Sequence, residues 1–195
     1  MPETTFGTLL SRALALMDHP LDGQDQLLAA HGGKVLQRIV AVATSRVLAS
    51  PRFPELVSQA SYKVLCAEAA AAAAQADGVE MGELPAHVRD GVTTTVYVAL
   101  EALSILYTAT DTPAGCAKVL MYHHDPVCLV GSLTKGLQLW HWPEATRAAG
   151  AVLERLFAHT ATAQWLLTLP PLHFSSSLSR TQRIWGQRSS RVAWH

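Results

Sequence analysis

Two stretches of this chain, fifty positions apart, carry the same pattern. Residues 102–120 read ALSILYTATDTPAGCAKVL, and residues 152–167 read VLERLFAHTATAQWLL. In each stretch, apolar residues at helical spacing lead into a polar turn that contains threonine, and a short apolar segment follows. A recurring unit of helix, tight turn and short helix is typical of an α-helical solenoid. Solenoids commonly bind other macromolecules, so this repetition constrains both the fold and the class of function.

The composition favours a single, mostly helical domain. The chain has 195 residues, of which 49% are hydrophobic and 15% are charged. This is too apolar for a disordered protein and too poor in charge for a freestanding coiled coil. Alanine and leucine dominate, and both favour helix over strand. We therefore expect residues 1–173 to form one helical repeat domain. The 15 basic and 15 acidic residues balance, so no overall charge points to nucleic acid.

Cysteine usage and the N-terminal sequence favour a cytoplasmic or nuclear protein. Cys66, Cys116 and Cys128 are an odd number at no metal-binding spacing, which is typical of reduced and mostly buried thiols. The first twenty residues have no basic start before their apolar run, as a signal peptide would. No uninterrupted apolar run reaches the ~18–20 residues of a membrane span, and the closest, residues 96–107, contains a glutamate. We therefore expect no membrane association.

Prolines and glycines divide the chain into predicted helices. Gly32-Gly33 is expected to close a short helix before a longer one begins. Three later helices are each predicted to begin with a proline in the first turn, where the missing N–H costs no hydrogen bond. The predicted helices cover residues 5–17, 24–30, 34–49, 54–76, 92–110, 113–123, 126–140 and 143–159.

The predicted helix of residues 92–110 is apolar around almost its whole circumference. Its polar residues form only a narrow strip, consisting of Thr94, Glu101, Ser104 and Thr108. Such a helix has to be covered on two sides. This is the environment of an internal solenoid helix, because other repeats pack before and behind it.

Residues 113–168 resemble an armadillo or HEAT-type repeat. The resemblance consists of a short helix and two medium helices, with CLVGSL at 128–133 in the second and AAGAVLERL at 148–156 in the third. It implies an all-α, right-handed α-solenoid that binds another protein, without catalysis and without a cofactor. The family often has a small residue or asparagine where this chain has Tyr107 and Phe157. The asparagine ladder of peptide-binding armadillo proteins is therefore not evident.

The candidate partner-binding residues lie between and along the last two of these helices. Trp140, His141 and Trp142 cluster in the turn, and Arg147 and Arg155 follow on the polar face of the third helix. One interpretation is that the tryptophan rings pack over the seam between helices. The other is that they are an aromatic anchor for a partner, because tryptophan is enriched at binding hot spots.

No residue pattern predicts a catalytic or metal site. His123, His124 and His141 form the densest titratable cluster, which is either a polar helix end or, in a non-repeat bundle, a metal or small-ligand site. Adjacent histidines on a helix point about 100° apart and do not share a metal easily. Cys116 is expected to be a buried thiol rather than a nucleophile. We predict neither a catalytic residue nor a metal ligand.

Residues 174–195 differ in composition from the rest of the chain. They read FSSSLSRTQRIWGQRSSRVAWH and contain no acidic residue, and we expect them to be disordered. The tail is a basic arm of a nucleic-acid-associated protein (nuclear or meiotic), a kinase substrate at Ser189 or Ser190, or an alternative C-terminus that replaces further repeats. Its basic residues are Arg180, Arg183, Arg188 and Arg191.

Overall fold

A computed structural model describes residues 3–21, 25–75, 80–122 and 126–159, and within these ranges the protein is all-helical with no strand. A short 3-10 helix, Met81–Glu83, precedes the fourth α-helix. The all-α prediction is confirmed. The α-helices are α1 (Glu3–Met17), α2 (Asp25–Ala49), α3 (Phe53–Ala74), α4 (Ala86–Ala109), α5 (Pro113–Tyr122), α6 (Pro126–Gly136) and α7 (Pro143–Ala158).

The three helices that were predicted to begin at prolines do so. The starts of α5, α6 and α7 are Pro113, Pro126 and Pro143. Proline is favourable there because its fixed φ suits a helix and its missing N–H has no partner to lose. At α5 the side chain of Thr112 caps the helix, since the backbone N–H of Gly115 donates to its Oγ1 at 3.1 Å.

The prediction that Gly32-Gly33 ends a helix is wrong, because α2 continues through both glycines. Each glycine instead allows a neighbouring helix to approach closely. A Cβ at position 32 would collide with the backbone of α1 and lie 2.8 Å from the Leu16 Cβ. A Cβ at position 33 would lie 3.0 Å from the Cβ of Glu101 on α4. The packing of α1 and α4 against α2 outweighs the low helix propensity of glycine.

Helix α2 bends near its C-terminal end. Ala43 has φ −132° and ψ 37°, which lie outside the helical region. The hydroxyl of the next residue, Thr44, donates to the Val40 carbonyl at 2.7 Å. Such a hydrogen bond engages a carbonyl of the helical ladder and is a known cause of helix bending.

Six of the seven α-helices form three consecutive pairs, and these pairs contact one another in chain order. We call α1–α2 the first hairpin, α3–α4 the second and α6–α7 the third. The principal contacts between hairpins join α2 to α4, α4 to α7 and α3 to α6, while α5 packs against α3 and α4. The second hairpin therefore lies between the other two.

Helix α4 is covered by α2, α3 and α7, as its apolar circumference predicts. Among the described residues it is the one helix that is long and apolar enough to cross a membrane, and 56% of its most apolar segment is buried inside the protein. Its buried residues are Val92, Thr95, Val96, Val98, Ala99, Ala102, Leu103, Ile105, Leu106 and Ala109.

Basic side chains from later helices contact the C-terminal ends of earlier ones. Lys63 of α3 donates to the His19 carbonyl at 2.8 Å, just beyond α1. Lys118 of α5 donates to the Leu48 carbonyl at 3.1 Å, in the last turn of α2. The Leu48 carbonyl is one of the last four of α2, which lack partners within the helix and carry the negative end of its dipole. The contacts therefore fix the ends of the first hairpin against the rest of the protein.

Candidate partner-binding cleft

A cleft of about 240 Å³ lies between α4 and the start of α7. Tyr97 on one wall and Trp142 on the other contribute aromatic rings, and the carboxylate-bearing Glu144 lies at the start of α7. The wall from α4 is made by Thr93, Val96, Tyr97 and Leu100, and the opposite wall by His141, Trp142, Pro143 and Glu144.

The turn between α6 and α7 is held in place by close packing and by hydrogen bonds. At the end of α6, a Cβ on Gly136 would lie 2.9 Å from the Ala149 Cβ, so this end of α6 lies directly against α7. The Trp142 backbone N–H donates to the Leu139 carbonyl at 2.9 Å, and the Thr146 hydroxyl donates to the same carbonyl at 2.9 Å. Leu139 itself is buried. The two tryptophans are therefore presented on a fixed turn.

The two tryptophans have different environments. Trp142 is half-buried and packs against the hydrophobic core, whereas the side chain of Trp140 is 67% exposed. The ring centroids of Trp140 and His141 are 3.4 Å apart, and the His141 ring meets that of Trp142 edge-on at 6.0 Å. The interpretation that a tryptophan ring packs over the seam between helices therefore applies to Trp142. The ring of Trp140 is exposed and is available to a partner.

Tyr97 is an exposed aromatic residue of the cleft that the sequence pattern did not single out. It is 60% exposed and lies opposite the Trp142 side of the cleft. A signal was present, because Tyr97 is three residues after Thr94 and four before Glu101, and so lies on the polar strip of α4. A large aromatic residue on the exposed strip of a buried helix is a candidate contact residue.

The structure brings one of the two candidate arginines to the cleft and separates the other from it. Arg147 is exposed, and its Nε donates to the carbonyl of the cleft residue Pro143 at 3.3 Å. Arg155 lies thirteen residues after Trp142, which places it about 20 Å further along α7.

Arg155 joins α7 to the end of α4. Its Nη1 donates to the Tyr107 carbonyl at 2.6 Å, and its guanidinium carbon is 3.4 Å from the centroid of the Tyr107 ring. Its Nη2 also lies 3.0 Å from the Asp111 carboxylate. One guanidinium group thus makes three kinds of contact: a hydrogen bond to a carbonyl, an ion pair and a cation–π contact. In this structure Arg155 therefore makes intramolecular contacts.

The remaining titratable residues form no metal site within the described part of the chain. Burial raises the pKa of the Cys116 thiol, which lies 3.2 Å from the Thr110 carbonyl. Burial likewise raises the pKa of Cys66 and lowers that of Lys63. His123, His124 and the tail arginines (Arg180, Arg183, Arg188 and Arg191) lie outside the described residues.

Comparisons with protein-family models, with curated proteins and with solved structures found no match to this chain.

Proposed function

We propose that this protein is a non-catalytic scaffold of the armadillo/HEAT-like, right-handed solenoid type, and that it binds another protein through the cleft between α4 and α7. The contact is made by the cleft residues Tyr97, His141 and Trp142 and by Trp140, whose exposed ring lies beside the cleft against His141. Arg147 lies at the edge of the same surface.

The order of helix contacts supports a stacked array. In a solenoid each hairpin packs against its neighbours in sequence, and equivalent helices of successive hairpins lie side by side. Here the second helices of the three hairpins follow one another, since α4 lies between α2 and α7. The first helices of the second and third hairpins, α3 and α6, also pack together. A bundle around one common centre does not require this order.

The cleft supports protein binding better than small-molecule binding. Its volume of about 240 Å³ is below the ~300–1,000 Å³ of typical small-ligand sites, and it is open along the helix surface. A cleft of this size accommodates one or two side chains of a partner. Exposed tyrosine and tryptophan beside an apolar wall are the residues that most often dominate such contacts.

Comparative affinity capture tests the proposal. The 195-residue protein is purified from cells with its partners, alongside the variants Trp140→Ala and Tyr97→Ala. Both side chains are mostly exposed, so neither change should impair folding. Loss of a hot-spot aromatic residue costs about 2 kcal/mol or more, so we expect the partner to bind roughly 30-fold more weakly or to be lost.

Met121→Ala is the matched control, because Met121 is also 67% exposed but is not a cleft residue. This variant should retain the partner. Equal recovery of every co-purified protein with all three variants would contradict the proposal. The nucleic-acid alternative depends on the tail outside the described residues and remains a sequence-based prediction.

A further inference from the structure

One flank of α7 carries apolar side chains that the rest of the described protein leaves partly uncovered. Phe157, in the last turn, is 46% exposed, and Leu153, one turn earlier, is half-buried. Gly150 precedes Leu153 by three positions, so the three residues lie on the same side of the helix. Each of them directly follows a buried residue, which places this flank about 100° around the helix from its buried side. The buried side consists of Ala145, Ala149, Val152 and Leu156.

The end of α6 extends this apolar flank. Leu137 is 38% exposed, and its Cδ2 would lie 3.7 Å from a Cβ at position 150. It directly follows Gly136, where an added Cβ would lie 2.9 Å from the Ala149 Cβ, so the two helices are in close contact here. We call the surface formed by Leu137, Gly150, Leu153 and Phe157 the terminal face, because it belongs to the third hairpin.

The sequence that follows α7 is apolar and uncharged. Helix α7 ends at Ala158, and the backbone of His159 is extended, with φ −94° and ψ 116°. Residues 160–169 read TATAQWLLTL, without a charged side chain. The large apolar residues of this segment are Trp165, Leu166, Leu167 and Leu169. Removal of these side chains from water is favourable, so the segment needs an apolar surface within its reach.

We propose that residues 160–169 pack on the terminal face of their own chain. The segment begins three residues after Phe157 and can extend up to about 33 Å, whereas the face covers only about 10 Å of α7. So short a tether gives the segment an effective concentration on the order of millimolar at this face, which favours it over a second copy of the protein. Neither the face nor the segment contains a charged side chain, so contact between them desolvates no ion.

The terminal face is distinct from the cleft between α4 and α7. Helix α7 contributes its first residues, Pro143 and Glu144, to the cleft, and these precede Gly150 by more than one turn. Covering the terminal face would bury Leu137 and Phe157 within the fold, so neither residue would serve as a docking site for another molecule. The packing of the segment does not depend on partner binding at the cleft, and the two can fail separately.

Photo-crosslinking of the 195-residue protein tests this packing. Benzoylphenylalanine replaces Leu137, which is more than twenty residues before the segment, so a crosslink cannot result from proximity in sequence. In dilute solution, we expect mass spectrometry of tryptic peptides to show crosslinks within one chain from position 137 to residues 160–169. Position 42 is the control, because Val42 is 89% exposed but belongs to the first hairpin, and it should give no such crosslink.

A double-mutant cycle measures whether the contact contributes to stability. Trp165→Ala should lower the urea midpoint of unfolding by roughly 0.5–1 M. This loss should be smaller when Phe157→Ala is already present, because the tryptophan then has less of the terminal face to contact. The matched control is Trp185→Ala, in the Ser/Arg-rich tail, which should leave the midpoint within roughly 0.1 M of that of the unmodified protein.

Three results would overturn the proposal. The first is the absence of crosslinks from position 137 to residues 160–169. The second is a set of crosslinks to that segment that join two chains, which would make a second copy the occupant. The third is an equal urea midpoint for Trp165→Ala and Trp185→Ala, or additive effects of Trp165→Ala and Phe157→Ala, which would show that the segment does not contact the terminal face.

Discussion

Gly32→Ala and Gly7→Ala are predicted to change stability in opposite directions, although both replace a helical glycine. In a helix interior, alanine is favoured over glycine by about 1 kcal/mol. At position 7, which lies within α1, a Cβ would meet nothing within 4 Å, so this gain should appear as a stabilisation of about 0.5–1 kcal/mol. At position 32 the same gain is opposed by a collision.

The collision at position 32 is with atoms that cannot move independently. The added Cβ would touch the Met17 N and lie 2.7 Å from the carbonyl carbon of Leu16, and both belong to the backbone of α1. Overpacking in well-packed sites costs about 1–3 kcal/mol. We expect a cost near the upper end of this range at position 32, because the atoms that the Cβ meets belong to the backbone and cannot rotate away. Subtracting the gain in helix propensity leaves a net destabilisation of about 1–2 kcal/mol.

Urea unfolding followed by circular dichroism at the helical band measures both changes. The free energy of unfolding of a small protein falls by about 2 kcal/mol for each molar increase in urea. The urea midpoint should therefore fall by roughly 0.5–1 M for Gly32→Ala and rise by roughly 0.3–0.5 M for Gly7→Ala. If Gly32→Ala were as stable as the unmodified protein, or if both variants shifted the midpoint the same way, the close contact of α1 and α2 would be refuted.

Three further predictions concern α7, α4 and the tail. Leu156→Ala should cost about 2–5 kcal/mol, because Leu156 is fully buried, whereas Glu154→Ala on the exposed face should stay within ~0.5 kcal/mol; similar urea midpoints would contradict the orientation of α7. Burial raises the pKa of the Glu101 carboxyl in the folded state. Between the usual glutamate pKa and this raised pKa, the unfolded chain releases a proton that the folded state keeps, so the free energy of unfolding falls as the pH rises. Glu101→Gln should therefore raise the urea midpoint at about pH 7 and leave it unchanged at about pH 3.5, and a midpoint lowered at neutral pH would show that attraction by nearby bases dominates. Trypsin should cut rapidly within residues 174–195 and leave a stable helical core, and resistance there would show that the tail is folded.

The helix starts were predictable because the signals are local. Proline in the first turn acts through its own ring and N–H, so Pro113, Pro126 and Pro143 marked three starts without knowledge of the rest of the fold. The apolar circumference of α4 likewise predicted coverage on two sides. These features depend on residues within one helix.

The features missed from the sequence depend on contacts between distant segments. Glycine usually ends a helix, but Gly32 and Gly33 lie within α2 because α1 and α4 approach it there. The cleft also required the pairing of α4 with α7, which no local pattern specifies, so Tyr97 was not selected. The same reason applies to Arg155, whose partners at Tyr107 and Asp111 are more than forty residues away in sequence.

Site-specific photo-crosslinking tests directly whether a partner protein binds at the cleft between α4 and α7. Benzoylphenylalanine is placed at position 97 or 140 of the 195-residue protein, and at position 121 as a control of similar exposure. We expect that one partner, identified by mass spectrometry, crosslinks from positions 97 and 140 and not from position 121. A partner that crosslinks equally from all three positions, or from 121 alone, would contradict it.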